Sequence, residues 1–308
     1  MKEAGRDRRQ ILSGSAIDLD ITVPLLVFFL NTRGVPTMMP VPSHKSSLTV
    51  CFLLIAFWMS SACAQPSTAE FHMIHTGAGL SLHKEMFMLP LTLSDEYNES
   101  QTEAVFQLSA KHRLFNTRFY FAYTQISFWQ AYDHHHSAPF RETNYNPELF
   151  YRTKRHPFQS GYAGMDIGFE HESNGQIPPV SRSWNLLYIC PHYLQDNLLV
   201  YLKLRYRIPE DEKEHPEAAV GDDNPDITDY LGYNDIHVYY KFWTDHTMHL
   251  TVRGSVSKGN GGMMLIYSFP VPKSNRSRIC FRFSHGYGES LVDYNKSLTR
   301  LGIGISFN

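Results

Sequence analysis

His171 and Ser173 lie two residues apart, and Asn185 follows a short loop later. A serine hydroxyl, an imidazole and a carboxamide can hydrogen-bond in a chain. In that order they are a nucleophile, a general base and an orienting group. His171 would take the proton of Ser173 as the hydroxyl attacks an ester. Asn185 would fix the imidazole tautomer by accepting its other N–H. A neutral Asn supports an imidazolium less than Asp does, but it avoids setting a carboxylate against apolar surroundings. His-x-Ser alone equally suits an ordinary strand end near lipid headgroups, so the elements that carry these residues must decide.

Those elements alternate with period two. Ala163, Met165, Ile167 and Phe169 form one apolar face, and His171 and Ser173 continue its parity. Tyr162, Asp166, Glu170 and Glu172 take the other face. Asn185 shares parity with Leu187 and Ile189 on the next segment. Successive strand side chains point to opposite faces, so all three polar groups are expected on one outward wall. Polar groups on a lipid-facing wall are costly unless they bond one another.

The alternation recurs along the chain. Leu198, Val200, Leu202, Leu204, Tyr206 and Ile208 alternate with Lys203, Arg205 and Arg207. Met248, Leu250 and Val252 alternate with His249, Thr251 and Arg253, and Leu301, Ile303, Ile305 and Phe307 follow the same rule. Twelve strands are expected, near 84–92, 103–113, 116–131, 146–154, 162–173, 184–193, 197–208, 233–243, 246–256, 261–269, 276–285 and 297–307. A soluble sandwich also alternates. Segments of roughly 9–11 residues, an export leader, and connections that are long and short by turns favour an all-β, 12-stranded antiparallel transmembrane barrel. An even strand number closes the sheet and leaves no edge in lipid. The net charge of −2 gives no electrostatic case for nucleic acid.

Residues 45–59 read KSSLTVCFLLIAFWM, a Lys before an apolar run, and Ala62-Cys63-Ala64 follows as a small-x-small cleavage site. The run is shorter than the ~20 residues a spanning helix needs. The expected organisation is therefore an upstream extension over 1–38 that is not part of the export signal and a Sec signal peptide over 39–64. An N-terminal periplasmic segment over 65–83 and a barrel over 84–308 complete it. Translation is expected to start at Met39. Cys51 and Cys63 leave with the leader. Cys190 and Cys280 fall on the sixth and eleventh strands, both inward, so free thiols are expected.

The site resembles that of the outer membrane phospholipase A family, whose signature is H-[DE]-S-N-G followed by S-R-S-W-N. This chain has His171-Glu172-Ser173-Asn174-Gly175 and Ser181-Arg182-Ser183-Trp184-Asn185. Further family blocks match at Pro139–Tyr145, Asp222–Ile227 and Gly286–Leu291. The resemblance implies a calcium-dependent phospholipase with A1, A2 and lysophospholipase activity, resting as a monomer and active as a homodimer in the outer membrane. It implies Ser173 as nucleophile, His171 as base, Asn185 as third member and the Gly175 N–H as an oxyanion donor. It implies Ca²⁺ held by the Ser181 hydroxyl, the Gln176 carbonyl and the Ser137 carbonyl of the partner subunit. Asp223 matches one acid of an additional family calcium site. The other acid falls on Pro178, which cannot ligate through a side chain, so that second site is not expected here. Gln125 occupies the position of a buried polar contact in the family dimer. The active site is expected toward the outer leaflet.

The competing expectation is a catalytically idle porin-like or structural barrel. Inward Arg, Lys, Tyr and Glu argue for a lumen filled by side chains instead of an open pore. His134-His135-His136 is expected as a solvated tract, and the acidic stretch from Glu210 to Asp226 as a solvated loop.

Overall fold

Period-two alternation gives each strand one apolar and one polar face. A sheet built from such strands buries its polar face only by closing on itself. The computed structural model describes residues 71–242, 245–274 and 277–307. The strands are β1 (Leu80–Leu82), β2 (Met86–Ser94), β3 (Ala104–Arg113), β4 (Phe119–Trp129), β5 (Phe140–Arg152), β6 (His156–Phe158) and β7 (Gly161–Ser173). They continue as β8 (Ser183–Gln195), β9 (Leu198–Arg207), β10 (Asn234–Lys241), β11 (Thr247–Ser255), β12 (Asn260–Pro270), β13 (Ser277–Gly286) and β14 (Leu298–Phe307). The fourteen strands make one antiparallel sheet, and the pairing of β3 with both β2 and β4 closes it. Setting aside the three-residue β1 and β6, which flank the ring, twelve strands form a closed barrel. Among the described residues no helix is long and apolar enough to cross a membrane.

The expected parities are those observed. On β9, Leu199, Tyr201 and Lys203 are buried in the lumen, while Leu204 and Tyr206 are exposed outside. On β13, Arg278, Cys280 and Arg282 point in, and on β14 Leu301, Ile303 and Ile305 point out. Cys190 and Cys280 are buried free thiols. One strand differs from expectation. β5 begins at Phe140, not near 146, because Phe140–Tyr145 pairs with β4 up to Trp129 and does not belong to the long loop.

Charged side chains fill the lumen. Lys203 Nζ lies 3.2 Å from Glu148 and 2.6 Å from Glu170, and Arg205 Nε lies 3.2 Å from Glu170 and also pairs with Asp235. At the end that carries the short turns 114–118 and 196–197, residues 71–83 enter the barrel. Phe71, Met73 and Ile74 pack among Tyr120, Phe150, Leu199 and Tyr201. Lys111 Nζ donates to the carbonyls of His72 and Met73 at 2.6 and 2.8 Å. The expected leader at 39–64 and the stretch before it lie outside the described residues.

The opposite end carries the long connections 130–139, 174–182, 208–233 and 287–297. A short helix, α1 (Ile227–Leu231), closes this mouth, packing Ile227 and Leu231 with Trp184, Leu186, Leu291 and Tyr294. Segments distant in sequence meet here. Asn144 Oδ1 accepts the Leu291 N–H at 3.0 Å, and Glu142 Oε1 accepts that of Val292 at 2.8 Å. These bonds hold the rim on which the site stands.

Candidate active site

β7 and β8 carry the site as paired antiparallel strands. Their register sets His171 opposite Asn185 and Ser173 opposite Ser183. Ile167, Phe169, Leu187 and Ile189, on the same face, are among the exposed apolar side chains, so this face is the barrel's outer wall. His171, Ser173 and Asn185 are each half-buried on it. His171 Nδ1 and Asn185 Oδ1 lie 2.9 Å apart. The carboxamide oxygen is an acceptor, so Nδ1 carries the proton and Nε2 keeps the lone pair. Ser173 follows two residues along the same face. The β7 backbone is pinned from the other side, where Asn146 Nδ2 donates to the His171 carbonyl at 3.1 Å.

A family model described as phospholipase A1 matches residues 72–307. The chain belongs to the phospholipase A1 family. It is 33% identical over 258 residues to a putative phospholipase A1 of Neisseria meningitidis, a match covering 75% of this chain and 65%, just under two thirds, of that protein. It is 37% identical over 221 residues to phospholipase A1 of Escherichia coli, covering 68% of this chain and 71% of that one. Among solved structures, outer membrane phospholipase A from Escherichia coli superposes with a TM-score of 0.67 at 31% identity, over 77% of this chain and 96% of that chain. The Salmonella typhi outer membrane phospholipase dimer with bound calcium gives 0.67 at 31%, over 76% and 94%. By family, then, this chain groups with the phospholipases A1, and it shares the barrel fold of the outer membrane phospholipase A structure.

Other residues that the sequence resemblance singles out gather around the loop 174–182. Asn174, 2% exposed, organises it. Its Oδ1 accepts the N–H groups of Arg182 at 2.9 Å and Gln176 at 3.3 Å, and its Nδ2 donates to the Val180 carbonyl at 2.9 Å. Gly175 sits at φ +63, a left-handed conformation that glycine adopts without strain. A Cβ there would come 3.1 Å from the ring of Tyr145, the residue opposite Ser173 on β5. Gln176 is exposed, and Ser181 Oγ donates to Asp223 Oδ2 at 2.7 Å.

Asp223 also takes the Ser183 hydroxyl at 3.4 Å and an ion pair from Lys213. Burial pushes its carboxyl up, but Lys213 and the two hydroxyls outweigh this and hold it below the usual aspartate range. A cationic side chain thus already stands against Asp223, and Pro178 has no side-chain ligand to offer. Ser137 is exposed in the neighbouring hairpin loop, at φ 63. Gln125 lies on the outer face of β4, opposite Tyr145, which in turn lies opposite Ser173. Gln125 therefore stands at the depth of Ser173, bonded to Tyr123 and Ser127 at 2.9 and 3.2 Å. His134–His136 is an exposed 3-10 turn closed by Asp133.

Periodicity does not identify two groups that the structure adds. Asn224 is fully buried and accepts the Ser183 N–H at 2.9 Å, tying the loop 208–233 to the start of β8. Glu210 accepts from Asn185 Nδ2 at 3.1 Å. The acidic stretch 210–226 is thus not simply solvated: Glu210, Lys213 and Asp222–Asn224 turn toward the site. Alternation along a strand carries no information about which loop residue folds back.

Proposed function

We propose that this chain hydrolyses acyl esters of phospholipids and lysophospholipids, with A1, A2 and lysophospholipase specificity, through Ser173, His171 and Asn185. The observation that carries this reading is the His171–Asn185 hydrogen bond on the outer wall, with Ser173 next on the same face. Nε2 of His171 takes the Ser173 proton as Oγ attacks the ester carbonyl. Asn185 holds Nδ1–H throughout and stabilises the imidazolium that forms. The Gly175 N–H, presented by its left-handed backbone, donates to the oxyanion. The proton then passes from His171 to the leaving alcohol, and water repeats the sequence on the acyl-enzyme. A site on the outer wall lets acyl chains stay in the bilayer while their ester reaches the serine, and the long-loop end faces the outer leaflet.

Calcium fits the residues present. Ca²⁺ takes hard oxygen ligands, and the Ser181 hydroxyl and the Gln176 carbonyl lie on one loop, with Ser181 already aimed at a carboxylate. The exposed carbonyl of Ser137 of the partner subunit would complete the set in a homodimer, with Gln125 at the contact between the two walls. Held by these residues, calcium would supply positive charge to offset the negative charge developing on the ester oxygen. The chain rests as a monomer with an incomplete site. The filled lumen argues against a porin role, since Glu148, Lys203, Glu170, Arg205 and Asp235 cross-link across it.

The deciding experiment is fatty-acid release from mixed micelles by wild type and Ser173→Ala, each with calcium and with EDTA. Only wild type with calcium should turn over, while both proteins keep a heat-resistant barrel. Turnover by Ser173→Ala would overturn the triad, and undiminished turnover in EDTA would overturn the calcium role.

A further inference from the structure

An asparagine side chain has two ends of nearly the same shape and opposite chemistry: the oxygen accepts and the nitrogen donates. An aspartate in that place offers an acceptor whichever way it turns. A triad built on Asn185 therefore needs something to keep the carboxamide oxygen toward His171. With the amide reversed, Nδ2 would donate to His171 Nδ1. The ring proton would move to Nε2, and the lone pair that receives the Ser173 proton would be lost.

Glu210 stands where this requirement is met. Asn185 Nδ2 donates to Glu210 Oε1 at 3.1 Å while Oδ1 faces His171 Nδ1 at 2.9 Å. An ionised carboxylate only accepts, so the reversed amide would set two oxygens face to face. A backbone bond delivers Glu210 to this place: the Ile208 N–H donates to the Asn185 carbonyl at 2.8 Å, carrying the chain beyond β9 along β8. Nearby cations are engaged elsewhere, Arg207 with Asp222 at 2.6 Å and Lys213 with Asp223. A further carboxylate near the triad, Glu172, accepts from Trp184 Nε1 at 2.9 Å. Among the described residues Glu210 has no ion pair, so its charge is directed at the Asn185 amide.

We propose that Glu210 is a positioning residue that selects the productive orientation of Asn185 and, through it, the productive tautomer of His171. It touches no reacting atom. The proposal rests on the reading of Ser173, His171 and Asn185 as the triad.

The test is Glu210→Ala in three backgrounds of the full chain: wild type, Asn185→Asp and Asn185→Ala. Fatty-acid release is followed from phosphatidylcholine mixed micelles with calcium. In wild type, kcat should fall about tenfold, the size of one lost charge-assisted hydrogen bond, with KM unchanged. In Asn185→Asp, where the side chain has no wrong end and two carboxylates would adjoin, removing Glu210 should leave kcat unchanged or raise it. In Asn185→Ala it should change nothing further. A role for Glu210 in loop structure alone would lower kcat in all three backgrounds alike, and that result would overturn the proposal, as would an unchanged kcat in wild type. Ser173→Ala separates the two levels: activity there sinks the triad itself. Silence there, with equal losses from Glu210→Ala in every background, sinks only the positioning role.

Discussion

At the scale of single residues, the site depends on one backbone conformation as much as on its side chains. Gly175 is left-handed, and its missing Cβ leaves room for the Tyr145 ring 3.1 Å away. An L-residue at this φ costs on the order of 1 kcal/mol and tends to rotate the peptide. Gly175→Ala should therefore re-aim the N–H and lower kcat about 100-fold, the effect of losing one oxyanion donor. The barrel's unfolding midpoint should hardly move, because the loop lies outside the sheet. Turnover in mixed micelles beside urea unfolding checks this, and unchanged kcat would remove Gly175 from the oxyanion role. The shared outer face of His171, Ser173 and Asn185 is legible in the sequence because parity is a property of single strands: His171 and Ser173 follow Phe169, and Asn185 precedes Leu187. Gly175 is not legible that way. Its proposed role comes from the resemblance, and its φ only from the folded loop.

At the scale of elements, the strands are readable because alternation needs no partner to be seen, whereas the loops are fixed by contacts that periodicity does not encode. β5 shows the limit. Phe140–Tyr145 mixes Arg141, Glu142 and Asn144 into an apparently polar stretch, and it is a strand because those residues point inward to Glu103, Val292 and Leu291. The loop 174–182 is organised the same way, by the buried amide of Asn174, which satisfies two N–H groups and one carbonyl. Replacing it with Ala strands those groups, at about 1–3 kcal/mol for a buried polar group left unpaired. Asn174→Ala should thus release the loop locally. Hydrogen exchange should rise at residues 175–182 and kcat should fall, while strand amides keep their protection. Equal exchange in the loop of both proteins would show that other contacts hold it.

At the scale of the whole molecule, the barrel separates its two walls: the proposed chemistry stands outside and charge pairing fills the inside. Lys203 is the hinge of the inner network, 9% exposed at its side chain and placed between Glu148 at 3.2 Å and Glu170 at 2.6 Å. Lys203→Met would keep the volume but leave two carboxylates buried together. Breaking a buried pair in this way costs about 3–5 kcal/mol. The lower end is expected, because Lys84 still meets Glu148 at 2.8 Å and Arg205 still meets Glu170 at 3.2 Å. The barrel should therefore unfold at lower urea, by about 3 kcal/mol. Turnover by the protein that remains folded should be near wild type, since Lys203 faces the lumen while Ser173, His171 and Asn185 face the opposite side of the wall. Lost turnover in an intact barrel would mean that the two walls are coupled. The point of failure would then be Glu170, which neighbours His171 on β7 and shares Asn146 with its carbonyl.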